Sequence, residues 1–263
     1  MRAARFVGPG QPLELTDIPD PIPGEKEVLI EVEACGICHT DLSFIDHGIP
    51  TMTEPPLTLG HEMSGRVKAL GPGASGFVEG EPVLLPAVYG CGECRFCKSG
   101  RENLCPKMVF FGSSRDGGFA EMIAAPEHVV FKLPESIPLQ AACAIADAVS
   151  TPYHAVKNRG RVSEGDRVIV IGCGGIGINV VQCAAARGAE VMAIDMRDDS
   201  LEVAKELGAT HTLNPKGIER VDKAVKAVFK GGADIAFEAI GMKPTIETAF
   251  ACLARGGRLC VIG

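Results

Sequence analysis

Residues 168–177 read Val168-Ile169-Val170-Ile171-Gly172-Cys173-Gly174-Gly175-Ile176-Gly177. Four apolar residues without polar alternation suit a strand buried on both faces, as in a parallel sheet. The next six satisfy G-x-G-x-x-G. A helical spacing follows, with Ile176, Val180, Val181, Ala184 and Ala185, and Gly188 is placed to end it. Glycines cluster in many turns, so the pattern alone is weak. Between a buried strand and a helix it has the setting that dinucleotide binding needs. The first glycine permits a tight turn, the second lets a pyrophosphate approach the backbone, and the third lets helix pack on strand. The positive end of the helix then faces the phosphates. Gly172, Gly174, Gly175, Ile176 and Gly177 are therefore candidate cofactor residues.

The pattern continues downstream. A second apolar run, Val191 to Ile194, ends at Asp195, 18 residues after Gly177. A carboxylate there accepts hydrogen bonds from ribose hydroxyls and repels a 2′-phosphate, which favours NAD over NADP. Arg197, two residues on, would moderate that preference. A helix is expected from Asp198 to Leu207, closed by Gly208. Apolar runs recur at Ile235–Phe237 and Arg258–Ile262 with a helical stretch between them. Strands alternating with helices imply right-handed βαβ units and a doubly wound sheet. The chain stops at Gly263 directly after an apolar run, so a final strand is expected to be missing.

Upstream of residue 150 the pattern differs. Val28, Ile30 and Val32 alternate with Leu29, Glu31 and Glu33, the period of a half-buried strand. Gly24, Pro50, Pro55, Pro56, Gly71, Pro72, Gly73, Gly80, Pro82 and Pro86 then break up short apolar segments. Such punctuation suggests a β-rich, barrel-like domain. Two domains are expected, 1–150 and 151–263, in an α/β chain.

Composition narrows the function classes. The net charge of −7 over 263 residues argues against nucleic-acid or membrane-surface binding, which would usually show a basic patch. No apolar run is long enough to span a bilayer. Arg2 and Arg5 are not followed by an apolar segment with a cleavage site, so no signal peptide is expected and a cytoplasmic location is. Eleven cysteines are many, and the odd number fits poorly with a disulfide scaffold.

Four of them form the most specific motif in the chain, Cys91-x2-Cys94-x2-Cys97-x7-Cys105, in a lobe of about residues 90–106. Four thiolates at this spacing can enclose one zinc tetrahedrally. With every position filled by protein, such a site is structural. A looser set contains Cys38, in Cys35-Gly36-Ile37-Cys38-His39-Thr40-Asp41, and His61, in Gly60-His61-Glu62. Each alone is weak. Together they offer a soft ligand and an imidazole, with Asp41 and Glu62 beside them to orient the ligands.

In this order and at this spacing, the Cys38–Asp41 segment, Gly60-His61-Glu62, the four-cysteine lobe and the glycine turn with Asp195 resemble the zinc-containing medium-chain alcohol dehydrogenases. The resemblance covers the whole chain. It implies a GroES-like catalytic domain followed by a Rossmann domain, two zinc ions per chain (one catalytic, one structural), NAD, a small-molecule alcohol as substrate, and a homo-oligomer, dimer or tetramer. It implies that Cys38 and His61 bind the catalytic zinc, with Glu62 beside them. Thr151 and Ile240 fall in the cofactor's surroundings. The third ligand departs from the family, which usually has cysteine shortly before a Thr-x-Tyr segment. Here Thr151-Pro152-Tyr153 matches and the aligned position is Asp147, with Cys143 the alternative. Thr40 would accept the substrate's proton. The family's next relay histidine is replaced by Ser43, so the relay would end through solvent or His47. A narrower resemblance, in Glu54–Glu62, Ala146-Asp147-Ala148 and Asn214-Pro215-Lys216-Gly217, is to the branch that oxidises 6-hydroxycyclohex-1-ene-1-carbonyl-CoA. It implies a cyclic hydroxyacyl-CoA substrate. A zinc protein without the catalytic metal and a zinc-free quinone reductase relative are the competing readings.

Overall fold

Short apolar segments cut by Pro and Gly build an antiparallel first half. Its elements are β1 (Arg2–Phe6), β2 (Glu14–Asp17), β3 (Glu27–Gly36), α1 (His39–Asp46), β4 (Leu57–Thr58), β5 (Glu62–Leu70), β6 (Pro82–Leu85), β7 (Val88–Tyr89), β8 (Val109–Phe110), β9 (Met122–Pro126), β10 (Phe131–Lys132) and α2 (Leu139–Ala142). The main sheet runs β10-β6-β5-β3-β9, beside a three-stranded sheet β2-β1-β4 and a β7-β8 ribbon. All these pairings are antiparallel. Val28, Ile30, Met63, Val67, Val83, Leu85 and Ile123 form the core.

β3 departs from strict alternation at Leu29, which is buried like Val28 and Ile30. Its middle is paired on both edges, with β5 and β9. Alternation returns beyond it, with Glu31 and Glu33 exposed around a half-buried Val32.

The second half contains α3 (Ser150–His154), β11 (Arg167–Ile171), α4 (Gly175–Ala185), β12 (Glu190–Ile194), α5 (Asp198–Glu206), β13 (His211–Leu213), α6 (Val221–Val228), β14 (Ala233–Glu238), α7 (Lys243–Ala251) and β15 (Leu253–Val261). Its sheet runs β13-β12-β11-β14-β15, and every pairing is parallel. The unbroken apolar run of β11 is explained directly. Val168 and Val170 pack on one face with Val180, Val181 and Ala184 of α4. Ile169 and Ile171 pack on the other with Val225 and Phe229 and with Ala249 of α7. At about 25 cal/mol per Å² of apolar surface removed from water, such two-sided burial makes β11 the centre of its core.

The computed structural model describes residues 1–263, which fall into two units, Met1–Asp147 and Ala148–Gly263. No helix is long and apolar enough to cross a membrane. α5 ends one residue earlier than its periodicity suggests, with Gly208 at a φ of 106° just beyond it. β13 carries little sequence signal, having three residues. α6 adds to the expected helices, and its Val221, Ala224, Val225 and Val228 recur at helical spacing.

Gly177 fixes the approach of α4 to the strand before it. A Cβ there would lie 1.7 Å from the carbonyl oxygen of Gly172. Backbone cannot give way as a flexible side chain can. Gly177→Ala is therefore expected to destabilise the second unit by about 1–3 kcal/mol, the usual range for overpacking. Thermal melting checks this, and an unchanged melting temperature would contradict the close-approach role.

Candidate metal centres and cofactor loop

The first donor cluster is assembled within Met1–Asp147. Cys38 is the N-cap of α1, and its N–H donates to Asp41 Oδ2 at 3.0 Å, which fixes the first turn of the helix. Asp41 is itself buried, and its Oδ1 accepts the N–H of Gly60 at 3.2 Å. One carboxylate thus ties the Cys38 turn to the segment that carries His61. Ser64, two residues into β5 after Glu62, donates its hydroxyl to the Leu139 carbonyl at 2.6 Å. This fastens the start of α2, and the single turn Cys143–Ala146 then delivers Asp147.

The side chains of Cys38, His61, Glu62 and Asp147 converge, with one donor atom from each lying within 4.8 Å of all the others. His61 Nε2 is 3.6 Å from Asp147 Oδ2, and Cys38 Sγ is 3.9 Å from the same oxygen. An ion held at roughly 2.0–2.3 Å from tetrahedral donors separates those donors by about 3.3–3.8 Å. The observed spacings are close to that. On its other side His61 faces Asp41, with Nδ1 3.6 Å from Oδ1. Phe110 packs edge-on against the ring at 5.1 Å.

Electrostatics favour a cation at this point. His61 is 1% exposed, and neither ring nitrogen has a hydrogen-bond partner. Leaving a buried polar atom unpaired costs about 1–3 kcal/mol, so the arrangement calls for a further partner. Burial works against charge on the imidazole, but Asp147, Asp41 and Cys38 outweigh it and push its pKa up to about 11. A ring held among anionic donors attracts positive charge, which a proton or a metal ion can supply. The donor set of sulfur, nitrogen and oxygen suits zinc.

The structure distinguishes the residues singled out in sequence. Asp147 is in the cluster. Cys143 is buried outside it, with its thiol donating to the Gln140 carbonyl at 3.3 Å. Glu62 stands among the donors themselves, whereas Asp41 occupies the orienting position behind His61. Thr40 Oγ1 is 3.6 Å from Cys38 Sγ. The Ser43 hydroxyl donates to the His39 carbonyl at 3.0 Å, one turn back in its own helix, and His47 is exposed at the helix end. Gly36 carried no signal in sequence. A Cβ there would lie 2.1 Å from Glu62 Oε2, so its glycine makes room for that carboxylate. Only the folded pairing of β3 with β5 puts the two side by side.

The second cluster is the four-cysteine lobe. The sulfurs of Cys91, Cys94, Cys97 and Cys105 lie within 4.8 Å of one another, with Cys94 and Cys97 at 3.5 Å. Backbone N–H groups point at them, from Cys91 and Lys107 to Cys105 Sγ and from Cys97 to Cys94 Sγ. The N–H groups of Glu93 and Cys94 bring the Cys91 thiol down to about 6, and that of Cys97 lowers Cys94. Burial pushes Cys97 up to about 12. Two thiols poised to ionise beside a buried one form a set that a divalent cation would complete.

In Ala148–Gly263 the glycine turn connects β11 to α4. A Cβ on Gly174 or Gly175 would meet nothing within 4 Å, so the backbone there is open to an approaching group. Gly175 and Ile176 form the first turn of α4. Asp195 follows β12, and its Oδ2 accepts the Cys173 N–H at 2.7 Å. Its Oδ1 accepts the Arg197 N–H at 2.8 Å. Ile240 packs over Gly172, its Cγ1 2.5 Å from where a Cβ would stand. Glu238 also shapes this edge, although it carried no motif. Fully buried at the end of β14, it accepts the N–H groups of Ile240 and Gly241 and the Thr245 hydroxyl. Thr151 lies in α3.

Comparison with known proteins agrees with this layout. The Alcohol dehydrogenase GroES-like domain profile matches residues 24–135, and the Zinc-binding dehydrogenase profile matches residues 175–263. An alcohol dehydrogenase of Geobacillus stearothermophilus is 36% identical over all of this chain, which covers 77% of that relative. An NAD-dependent alcohol dehydrogenase of Sulfurisphaera tokodaii is 32% identical over all of this chain and 78% of its own length. The crystal structure of a zinc-binding dehydrogenase from Sinorhizobium meliloti bound to NADP superposes with a TM-score of 0.90 at 30% identity, covering all of this chain and 76% of that one. The chain is thus shorter than these relatives, with a GroES-like domain followed by a Rossmann-type parallel sheet, and it belongs to the zinc-dependent medium-chain alcohol dehydrogenase family.

Proposed function

We propose that the chain oxidises an alcohol with NAD, using a catalytic zinc held by Cys38, His61 and Asp147 with Glu62 beside them, and a structural zinc held by Cys91, Cys94, Cys97 and Cys105. The carrying observation is the convergence of a thiol and two carboxylates on a buried imidazole whose nitrogens have no hydrogen-bond partner. When bound, zinc would supply Lewis acidity toward an alcohol oxygen, and NAD would accept the hydride. The remaining tasks fall to the chain itself. Asp41 holds the Cys38 turn and faces His61 Nδ1, which sets the direction of Nε2. Thr40 Oγ1, beside Cys38, takes the proton of the substrate hydroxyl. Because Ser43 is bonded to its own helix, the proton leaves Thr40 to solvent. Gly172–Gly177 and the start of α4 receive the pyrophosphate, and Asp195 the ribose.

For the substrate we propose a small alcohol, in keeping with the alcohol dehydrogenases among the relatives. The cyclic hydroxyacyl-CoA thioester is kept as a second reading because a carboxylate, Asp147, stands where the family usually has cysteine. A screen of alcohols and hydroxyacyl-CoA thioesters for reduced nicotinamide decides between them. Activity only with thioesters would replace the first reading by the second.

Asp147 allows a sharper test of the metal assignment. Asp147→Asn keeps the shape and removes one negative charge. Zinc retention and turnover should fall together by roughly 10–100-fold or more, the cost seen when even a ligand's supporting partner is lost. Metal analysis should show the four-cysteine zinc retained. Full retention of both zincs with parental turnover would remove Asp147 from the site.

A further inference from the structure

The loop after β12 carries an arginine that is already occupied. Arg197 Nε donates to Asp199 Oδ1 at 3.1 Å and Nη2 to Asp199 Oδ2 at 2.5 Å, a two-pronged pair inside one turn. Only the main-chain N–H of Arg197 reaches Asp195. Asp198, the residue between them, is bound in turn by Asn214, whose Nδ2 donates to Asp198 Oδ1 at 2.6 Å and to the Met196 carbonyl at 3.2 Å. Of the three carboxylates in these five residues, Asp199 holds the guanidinium directly, Asp195 acts on it by charge, and Asp198 is engaged by Asn214. A free arginine beside the ribose-binding carboxylate would be a ready partner for a 2′-phosphate, since a guanidinium matches phosphate oxygens with paired donors. Here its fork is already filled by a carboxylate.

We infer that Asp199 is a specificity-determining residue that withholds Arg197 from a 2′-phosphate, so that the chain takes NAD although it carries an arginine next to Asp195. The inference rests on the cofactor reading above and adds to it. Asp195 alone gives repulsion, whereas Asp199 cancels the attraction that Arg197 would otherwise exert. Asp199 touches neither the reacting atoms nor the zinc donors, so it acts by positioning Arg197.

The test is a binding measurement that needs neither metal nor turnover. Calorimetry gives the affinity of the protein for adenosine 5′-monophosphate and for adenosine 2′,5′-bisphosphate, and the ratio of the two is the readout. In Asp199→Asn the ratio should move toward the bisphosphate by roughly three- to tenfold, a modest shift because the pair is exposed and partly screened. Asp199→Ser should do the same. Adding Arg197→Gln to either variant should return the ratio to the parental value, which a general loss of negative charge would not do. An unchanged ratio in both Asp199 variants, with the monophosphate still bound, would overturn the role of Asp199 and leave the NAD reading standing. Failure of the parent to bind the monophosphate would overturn the cofactor site itself, and the inference with it.

Discussion

His61→Ala is expected to abolish alcohol oxidation while one zinc per chain remains. The imidazole is the buried centre of the donor cluster, facing Asp147 on one side and Asp41 on the other. Without it, Cys38, Glu62 and Asp147 bring three anionic groups together with no neutral ligand among them. The Lewis acidity that a metal supplies amounts to several kcal/mol in the transition state. At about 1.4 kcal/mol per tenfold, turnover should fall by roughly 10³-fold or more. The effect on folding should be smaller, because the substitution also removes two unpaired buried nitrogens. Kinetics, metal analysis and melting on one preparation check all three points. Retention of two zincs, or a loss of activity no larger than tenfold, would count against the assignment.

Cys94→Ser should give the opposite pattern. A closed four-sulfur site contributes its binding energy to folding, since no preformed site exists in the unfolded chain. Cys94 Sγ lies 3.5 Å from the Cys97 sulfur and accepts the Cys97 N–H, so its loss opens the cluster at the turn that precedes Cys97. The melting temperature should fall by roughly 5–15 °C for a chain of this size. One zinc should be lost, while the residual activity per folded molecule stays within a few-fold of the parent. A variant that melts like the parent and has lost its turnover would reverse the roles given to the two sites.

Much of this was legible because local spacing and global fold agree. The run Val168–Ile171 could be read as a two-sided strand from its lack of alternation, and its faces do pack against helices on opposite sides of the sheet. The cysteine spacing in 91–105 is short enough for one loop to bring the sulfurs together, so the lobe could be recognised without the fold. The cluster at His61 is different. Its members come from α1, the start of β5 and the turn after α2, and only tertiary structure joins them. Resemblance pointed to Cys38 and His61. It also favoured Asp147, from its position before Thr151-Pro152-Tyr153, with Cys143 as the rival four residues earlier. Gly36 and Ser64 were silent in sequence. Each matters through a cross-strand or long-range contact, Gly36 by its lack of a side chain beside Glu62 and Ser64 by anchoring Leu139. Glu238 belongs with them, since a carboxylate ending an apolar strand has no motif until the loop folds over it.

The central claim is that Cys38, His61 and Asp147 hold a metal that makes this chain an NAD-linked alcohol dehydrogenase. Its most direct measurement is the appearance of reduced nicotinamide when zinc-loaded protein meets NAD and a panel of alcohols, run beside His61→Ala. The account predicts a steady rise with at least one alcohol, abolished in the variant and suppressed when a chelator strips the parent. No reduction of NAD by the zinc-loaded parent with any alcohol or hydroxyacyl-CoA thioester, or an undiminished rate in His61→Ala, would contradict it.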